Sequence, residues 1–207
     1  MGCAAVIYWG YLPRGFSAGL FGRYTMRFAP RTFTDRAGRA VLLRSPEPAD
    51  AAALLDCLKR TSGETPYLLR DPEEITLTVA QEEAFLQNML DDPRCGMLVA
   101  DLDGQILGSA SLSMAGPCRR MAHRCDLAIA LYRDFWGQGL GRAMMQTLLD
   151  TAPTLGYTQA ELQVVCDNHT AIGLYKKLGF AECGRLPGYL RYPDGRLADA
   201  LWMVRPL

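Results

Sequence analysis

A glycine cluster is the feature of this sequence that is best suited to hold an anion. Gly137, Gly139 and Gly141 alternate with Gln138 and Leu140 between an apolar run and a helical pattern. Glycines allow successive backbone N–H groups to turn toward one ligand, and the N-terminus of a helix adds a positive dipole. The cluster predicts a phosphate site, and a plain glycine-rich connector is the alternative that these residues leave open.

Two common nucleotide-binding motifs do not fit this cluster. If the dinucleotide-binding pattern Gly-x-Gly-x-x-Gly begins at Gly137, Arg142 occupies the position of its last glycine. If it begins at Gly139, Met144 occupies that position. The sequence also contains no Gly-x-x-x-x-Gly-Lys-Ser/Thr segment. A nucleotide-dependent enzyme built on either motif is therefore excluded.

Other catalytic and metal-binding patterns are missing from the sequence. His123 and His169 are its two histidines and no Gly-x-Ser-x-Gly segment accompanies them, so a serine hydrolase lacks its usual residues. The seven cysteines are scattered and form no Cys-x-x-Cys pair, which argues against a zinc site or a disulfide framework. Such cysteines are typical of a reducing compartment, and we expect a cytoplasmic protein without a metal ion.

The composition excludes two classes of partner. The 207 residues include 22 Lys plus Arg and 22 Asp plus Glu, so the formal net charge is zero and a globally basic nucleic-acid binder is disfavoured. No apolar run approaches the roughly 20 residues that a membrane-spanning helix needs. We expect neither a nucleic acid nor a membrane as a partner.

Hydrophobic periodicity predicts the elements that must position the glycine cluster. Strand patterns cover residues 39–44, 96–102, 105–113, 124–132, 160–166, 180–190 and 197–204, and helical patterns cover residues 48–60, 78–90, 140–153 and 168–178. No repeat or linker divides residues 36–207. We therefore expect one α+β domain with a mixed, mostly antiparallel sheet of six to seven strands and about four helices.

Residues 1–35 differ from the rest and are predicted to be an N-terminal extension. This segment has four arginines and no acidic residue before Asp35. An acid-poor, arginine-containing composition is typical of an organelle transit segment. It equally fits an extra strand or loop packed on the domain, or upstream sequence included by the choice of start codon, since Met26 opens a more ordinary stretch. The sequence leaves these alternatives open.

Two segments together resemble the GNAT superfamily of acyl-CoA-dependent N-acetyltransferases. Residues 138–143 (Gln-Gly-Leu-Gly-Arg-Ala) are similar to its Gln/Arg-x-x-Gly-x-Gly/Ala signature, and residues 168–180 are similar to its second motif. The motifs occur in the expected order on matching elements, which extends the resemblance to about residues 39–204. The resemblance implies a GNAT-like fold.

The resemblance also implies a binding site for acetyl-CoA. The amides of the glycine cluster would hold the pyrophosphate, and the strand before it would pair with the pantetheine arm. Asn168 would bond the cofactor or the adjoining chain, and a helix N-cap is its alternative role. The implied cofactor-binding residues are Leu127, Ala128, Ile129, Ala130, Leu131, Gln138, Gly139, Leu140, Gly141, Arg142, Ala143, Asn168 and Tyr175.

Three residues are implied in catalysis. Tyr175 matches the family tyrosine that protonates the departing thiolate, and a core tyrosine is its alternative. Asp126 lies where many members carry a carboxylate that deprotonates the amine, often through water. Glu64, in the connection 61–76 that is expected over the acceptor site, is a second candidate base or a binding residue for a cationic acceptor. A solvated surface charge is the alternative for both carboxylates.

The implied function is transfer of an acetyl group from acetyl-CoA to a primary amine. The acceptor would be a small-molecule amine, an amino acid, a protein N-terminus or a lysine, and the amine would attack directly through a tetrahedral intermediate. A non-catalytic CoA-binding regulatory module is the alternative from another class. The resemblance also implies a homodimer, formed through the C-terminal strands or the extension 1–35.

Overall fold

The structure, a computed structural model, describes residues 25–207 as one mixed sheet with helices packed against it. The strands are β1 (Arg31–Thr34), β2 (Ala40–Arg44), β3 (Gly96–Leu102), β4 (Gln105–Met114), β5 (Arg124–Leu131), β6 (Gln159–Val165), β7 (Ala181–Arg191) and β8 (Leu197–Pro206), and the helices are α1 (Ala51–Glu64), α2 (Val79–Asp91), α3 (Leu140–Thr151) and α4 (His169–Lys177). The sheet order is β1-β2-β3-β4-β5-β6-β8-β7, and β5 and β6 are its parallel neighbours. The predicted α+β class is confirmed, with eight strands instead of six to seven.

The additional strand is β1, which lies inside the segment 1–35. It pairs antiparallel with β2, from Arg31 opposite Leu43 to Thr34 opposite Ala40. Phe28, three residues before β1, is buried in the core. The rest of that segment, residues 1–24, lies outside the described residues.

Helix α1 continues one turn beyond the helix that the sequence predicted. Thr61 lies in this added turn, where it is buried and its hydroxyl donates to the carbonyl of Cys57 at 2.8 Å. The helix ends where Thr65 becomes extended before Pro66, since a residue that precedes proline disfavours the helical conformation. Glu64 is thus the last residue of α1, and its predicted place in a loop was wrong.

Helix α2 begins at the capping box that the sequence predicted. The Thr78 hydroxyl accepts from the N–H of Gln81 at 3.3 Å, and the Gln81 side chain accepts from the N–H of Thr78 at 2.9 Å. These two bonds satisfy donors that the first turn of a helix otherwise leaves unpaired.

The core lies on both faces of the central strands. Leu98, Val99 and Ala100 follow one another in β3 and are all buried, which requires cover on both faces because successive side chains point to opposite sides. β4 packs against both α1 and α3. At Gly108, β4 approaches β5 so closely that a Cβ atom would lie 2.3 Å from the carbonyl oxygen of Ala130.

Among the described residues, no helix is both long enough and apolar enough to cross a membrane.

Candidate active site

The glycine turn, residues 137–143, follows a five-residue connection after β5 and includes the first turn of α3. Gly137 and Gly139 have left-handed backbone, with φ of 75° and 87°, which residues with a Cβ rarely adopt. The N–H groups of Gly139, Leu140, Gly141 and Arg142 have no backbone acceptor in the described part of the chain. The turn therefore presents four N–H donors at the positive end of a helix, an arrangement suited to a phosphate.

The amide of Ala143 differs from these four. Its N–H donates to the carbonyl of Gly139 at 3.0 Å, which is the first hydrogen bond of α3. A donor that is used within the helix is not free for a ligand. The role of Ala143 in holding the pyrophosphate stays a prediction, and the other four amides are the ones without a backbone acceptor among the described residues.

The strand β5, which precedes the glycine turn, has an open edge along its second half. β5 and β6 pair only over residues 124–126 and then diverge, so that residues 127–131 of β5 pair with β4 alone among the described strands. A strand with a neighbour on one side presents unpaired N–H and C=O groups on the other, where an extended ligand can add. The carbonyl of Leu131 is already occupied, because it accepts from Nε1 of Trp136 at 2.7 Å.

Asp126 lies at the point where β5 and β6 diverge. It stands opposite Ser113 of β4 and Glu161 of β6, and its Oδ1 is buried without a hydrogen-bond partner among the described residues. Burial, aided by the charge of Glu161 and opposed by Arg124, raises the pKa of Asp126 to about 6. A carboxylate with this pKa is mostly ionised at neutral pH and is suited to accept a proton.

The ion pair beside Asp126 has no signal in the sequence. Arg124 donates through Nε and Nη2 to the two carboxylate oxygens of Glu161, at 2.9 and 2.7 Å. Glu161 is only 3% exposed and is paired with this cation, whereas Oδ1 of its neighbour Asp126 has no partner within residues 25–207. The parallel register of β5 and β6 brings Arg124 and Glu161 together across 37 positions of sequence.

Tyr175 and Asn168 lie on α4 and at its start, after β6. Tyr175 is fully buried, and its ring meets that of Phe180 edge-on with centroids 6.0 Å apart. The Oδ1 of Asn168 accepts from the N–H of Ala171 at 3.1 Å, so the N-cap interpretation of Asn168 is confirmed. The cofactor contact of Asn168 and the proton-donor role of Tyr175 stay predictions.

Glu64 lies away from Asp126. Its Oε1 accepts from Nε of Arg60 at 2.8 Å, and its Oε2 accepts from the N–H of Arg133 at 2.6 Å. Arg133 follows the end of β5, whereas Asp126 lies five residues before that end, about 16 Å earlier along an extended strand. The structure therefore does not bring the two candidate bases together, and both oxygens of Glu64 are occupied.

Comparison with known proteins agrees with this geometry. Residues 64–180 match the family described as the Acetyltransferase (GNAT) family. The chain is 31% identical over 126 residues to the L-amino acid N-acetyltransferase AaaT of Escherichia coli, a match that spans 60% of this chain and 76% of that protein. It is 39% identical over 79 residues to the ribosomal protein bS18-alanine N-acetyltransferase of the same organism, but this match spans 38% of the chain and only 53% of the relative.

A solved structure extends the similarity over most of the described residues. It is an acetyltransferase of the GNAT family from Streptococcus pneumoniae, 30% identical, with a TM-score of 0.77 and coverage of 81% of this chain and 99% of that one. The family match itself covers more than half of the sequence, including the glycine turn, Asp126 and Tyr175. The chain therefore belongs to the acetyltransferase (GNAT) family and is an acyltransferase.

Proposed function

We propose that this protein transfers the acetyl group of acetyl-CoA to a primary amine by direct attack through a tetrahedral intermediate. The observation that carries the proposal is the arrangement along β5, which joins four free amides, an open strand edge and a carboxylate with a raised pKa. These are the three parts that a thioester with a phosphate-bearing arm and an incoming amine require.

The glycine turn and the open edge fit acetyl-CoA as the donor. The amides of Gly139, Leu140, Gly141 and Arg142 would hold the pyrophosphate, and residues 127–131 would pair with the pantetheine arm. Bound there, acetyl-CoA supplies an acetyl group activated as a thioester. An N–H of the open β5 edge is then positioned to donate to the developing oxyanion.

Asp126 is the proposed base. It takes a proton from the ammonium group of the acceptor, directly or through water, so that the amine nitrogen can form a bond to the acyl carbon. The C–S bond then breaks, and the phenol of Tyr175 donates its proton to the thiolate. The surplus proton of the newly acylated nitrogen passes to the resulting phenolate, directly or through water, which restores Tyr175. A phenol is suited to this step because it is neutral at pH 7 without tuning of its pKa.

The acceptor is proposed as an amino acid or the amino group of a polypeptide. The two E. coli relatives are named for an L-amino acid and for an alanine of a ribosomal protein. Glu64 remains a second candidate for binding a cationic acceptor or for the base. Its existing bonds to Arg60 and Arg133 favour a role in holding the end of α1 against the segment after β5.

The first experiment compares thermal unfolding with and without acetyl-CoA, with NAD and ATP as controls. A ligand that binds the folded state raises the melting temperature by mass action, so acetyl-CoA alone should raise it. Release of the thiol is then measured with a panel of amines. No stabilisation at saturating acetyl-CoA would contradict the proposal, and stabilisation without turnover on any amine would favour the non-catalytic CoA-binding module.

The Tyr175→Phe variant tests the proton donor. The rate of acetyl transfer should fall at least tenfold while CoA affinity remains nearly unchanged, because general acid catalysis contributes about 10²–10⁴-fold and the ring is kept. Tyr157→Phe is the matched control, since Tyr157 is also a buried tyrosine and its hydroxyl donates to the carbonyl of Arg94, which has no role in the proposed site. An unchanged rate in Tyr175→Phe would remove this role.

Cytoplasmic location and a homodimer complete the proposal. All six cysteines among the described residues are free thiols, as in proteins of reducing compartments. Size-exclusion chromatography with light scattering tests the dimer.

A further inference from the structure

The turn and strands that precede α1 contact the glycine turn at several successive positions. We call residues 31–44, which comprise β1, the connecting turn and β2, the N-terminal hairpin. Phe33 lies 3.4 Å from where a Cβ of Gly139 would be, and Nη2 of Arg31 donates to the carbonyl of Ala143 at 3.1 Å. The guanidinium of Arg39 stacks on the ring of Phe135, 4.1 Å from its centroid.

Arg36 makes the contacts that bear on ligand binding. Its backbone N–H donates to the carbonyl of Gln138 at 3.2 Å, and its Nη1 donates to the carbonyl of Gly137 at 3.2 Å. In a planar trans peptide the N–H points opposite to the C=O of the same unit. Because both carbonyls face the hairpin, the N–H groups of Gln138 and Gly139 point away from it, which is the orientation of an anion-binding nest.

The turn of the hairpin is itself held by hydrogen bonds to Asp35. The buried carboxylate of Asp35 accepts from the N–H groups of Ala37 and Arg39, both at 2.9 Å, and from Nε of Arg39 at 2.7 Å. The backbone N–H of the next residue, Arg36, is thereby fixed in place. All these hairpin residues precede residue 64, where the family match begins.

We propose that the N-terminal hairpin is a positioning element of the acetyl-CoA site, which orients the glycine turn through Arg36 and Phe33. This inference rests on the proposed function, because it requires the glycine turn to bind the pyrophosphate. Part of the segment 1–35 therefore acts in cofactor binding rather than as an appendage.

The test measures CoA affinity and the kinetics of two acetyl donors for Arg36→Ala, Phe33→Ala and the double variant. Each single variant should raise the Kd for CoA and the KM for acetyl-CoA about fivefold to tenfold, the equivalent of one hydrogen bond or packing contact, with kcat within about twofold. S-Acetylpantetheine lacks the pyrophosphate, so its kinetics should not change. Arg27→Ala is the charge-matched control, because Arg27 is exposed and precedes the hairpin.

The outcomes separate the two proposals. Binding of acetyl-CoA by the unaltered protein together with unchanged Kd in all three variants would overturn the hairpin inference alone. An equal loss for acetyl-CoA and S-acetylpantetheine would also overturn it, since the effect would then not pass through the pyrophosphate. No binding by the unaltered protein would overturn the proposed function and the inference together.

Discussion

The glycine turn after β5 and the cluster of charged side chains near the start of β5 are built in opposite ways. The turn offers backbone N–H groups from four consecutive residues, Gly139 to Arg142. The charged cluster consists of side chains on two strands, Asp126 and Arg124 of β5 with Glu161 of β6. The first depends on backbone conformation, and the second depends on charge and burial.

This difference predicts which kinetic or binding constants should respond to substitutions in each region. A change in backbone conformation at the turn alters affinity for a phosphate-bearing ligand and leaves proton transfer intact. A change in charge near Asp126 alters the rate and its pH dependence and leaves that affinity intact. The following variants test the separation.

Asp126→Asn should have the largest effect. The amide cannot accept the proton of the amine, so kcat should fall about 10²–10³-fold, while the KM for acetyl-CoA stays within about twofold. Steady-state rates of thiol release at saturating acceptor measure both. Asp150→Asn on the exposed face of α3 is the control, and a kcat similar in the two variants would exclude Asp126 as the base.

Gly139→Ala should raise the KM for acetyl-CoA about tenfold with little change in kcat. A left-handed backbone costs a residue with a Cβ about 1–2 kcal/mol, and φ is 87° at this position. The control is Gly184→Ala, where a Cβ would meet nothing within 4 Å. A loss of kcat in Gly139→Ala at unchanged KM would contradict the separation of the two regions.

Glu161→Gln should shift the pH profile with a smaller effect on the maximal rate. Activity rises with pH as Asp126 ionises, with a midpoint near its pKa of about 6. The negative charge of Glu161 raises that pKa, so its removal should move the acidic limb of kcat/KM to lower pH. Glu182→Gln, at an exposed ion pair with Lys176, should leave the limb in place. If the limb of Glu161→Gln does not move, another group controls the pH dependence.

Glu82→Gln should leave activity unchanged and alter stability. Glu82 on α2 is 1% exposed, and burial raises its pKa from 4.5 to about 7. The folded state therefore retains a proton that the unfolded state loses, so stability falls by roughly 3 kcal/mol as pH rises from 4.5 to 7.

The stability of Glu82→Gln relative to the unaltered protein should therefore depend on pH. Glutamine does not titrate, so the variant should unfold at higher urea concentration than the unaltered protein at pH 8, and the difference should shrink toward pH 4.5. Urea unfolding at both values measures it, with exposed Glu83 changed to Gln as the control. An equal gain at both pH values would show that Glu82 is not protonated in the fold.

Most of the element boundaries were predictable because their signals are local. The β3–β4 hairpin follows from Asp103-Gly104, which adopt φ of 51° and 88° at the turn, and α2 follows from its Thr78 capping box. The end of α1 was less predictable. Thr61 and Gly63 weaken a helical pattern, and the burial of Thr61 and Ser62 against neighbouring elements outweighs that weak preference.

The features of the candidate site likewise differ in how far the sequence predicts them. The glycine turn is visible in the sequence because its residues are consecutive, and Asp126 is visible through the strand that leads to the turn. Three contacts join residues far apart in sequence: the ion pair of Arg124 with Glu161 beside Asp126, the contact of Arg36 with the glycine turn, and the bond that Glu64 accepts from Arg133. No local pattern records such contacts.

The sequence by itself determined the class of fold, the position of the glycine turn and the resemblance to an acyltransferase family, since each rests on short-range periodicity or consecutive residues. The tertiary structure decided which amides are free, which carboxylate has a raised pKa and which segment holds the turn. Those properties depend on desolvation and on distances between strands, and both arise only when residues separated along the chain are packed together.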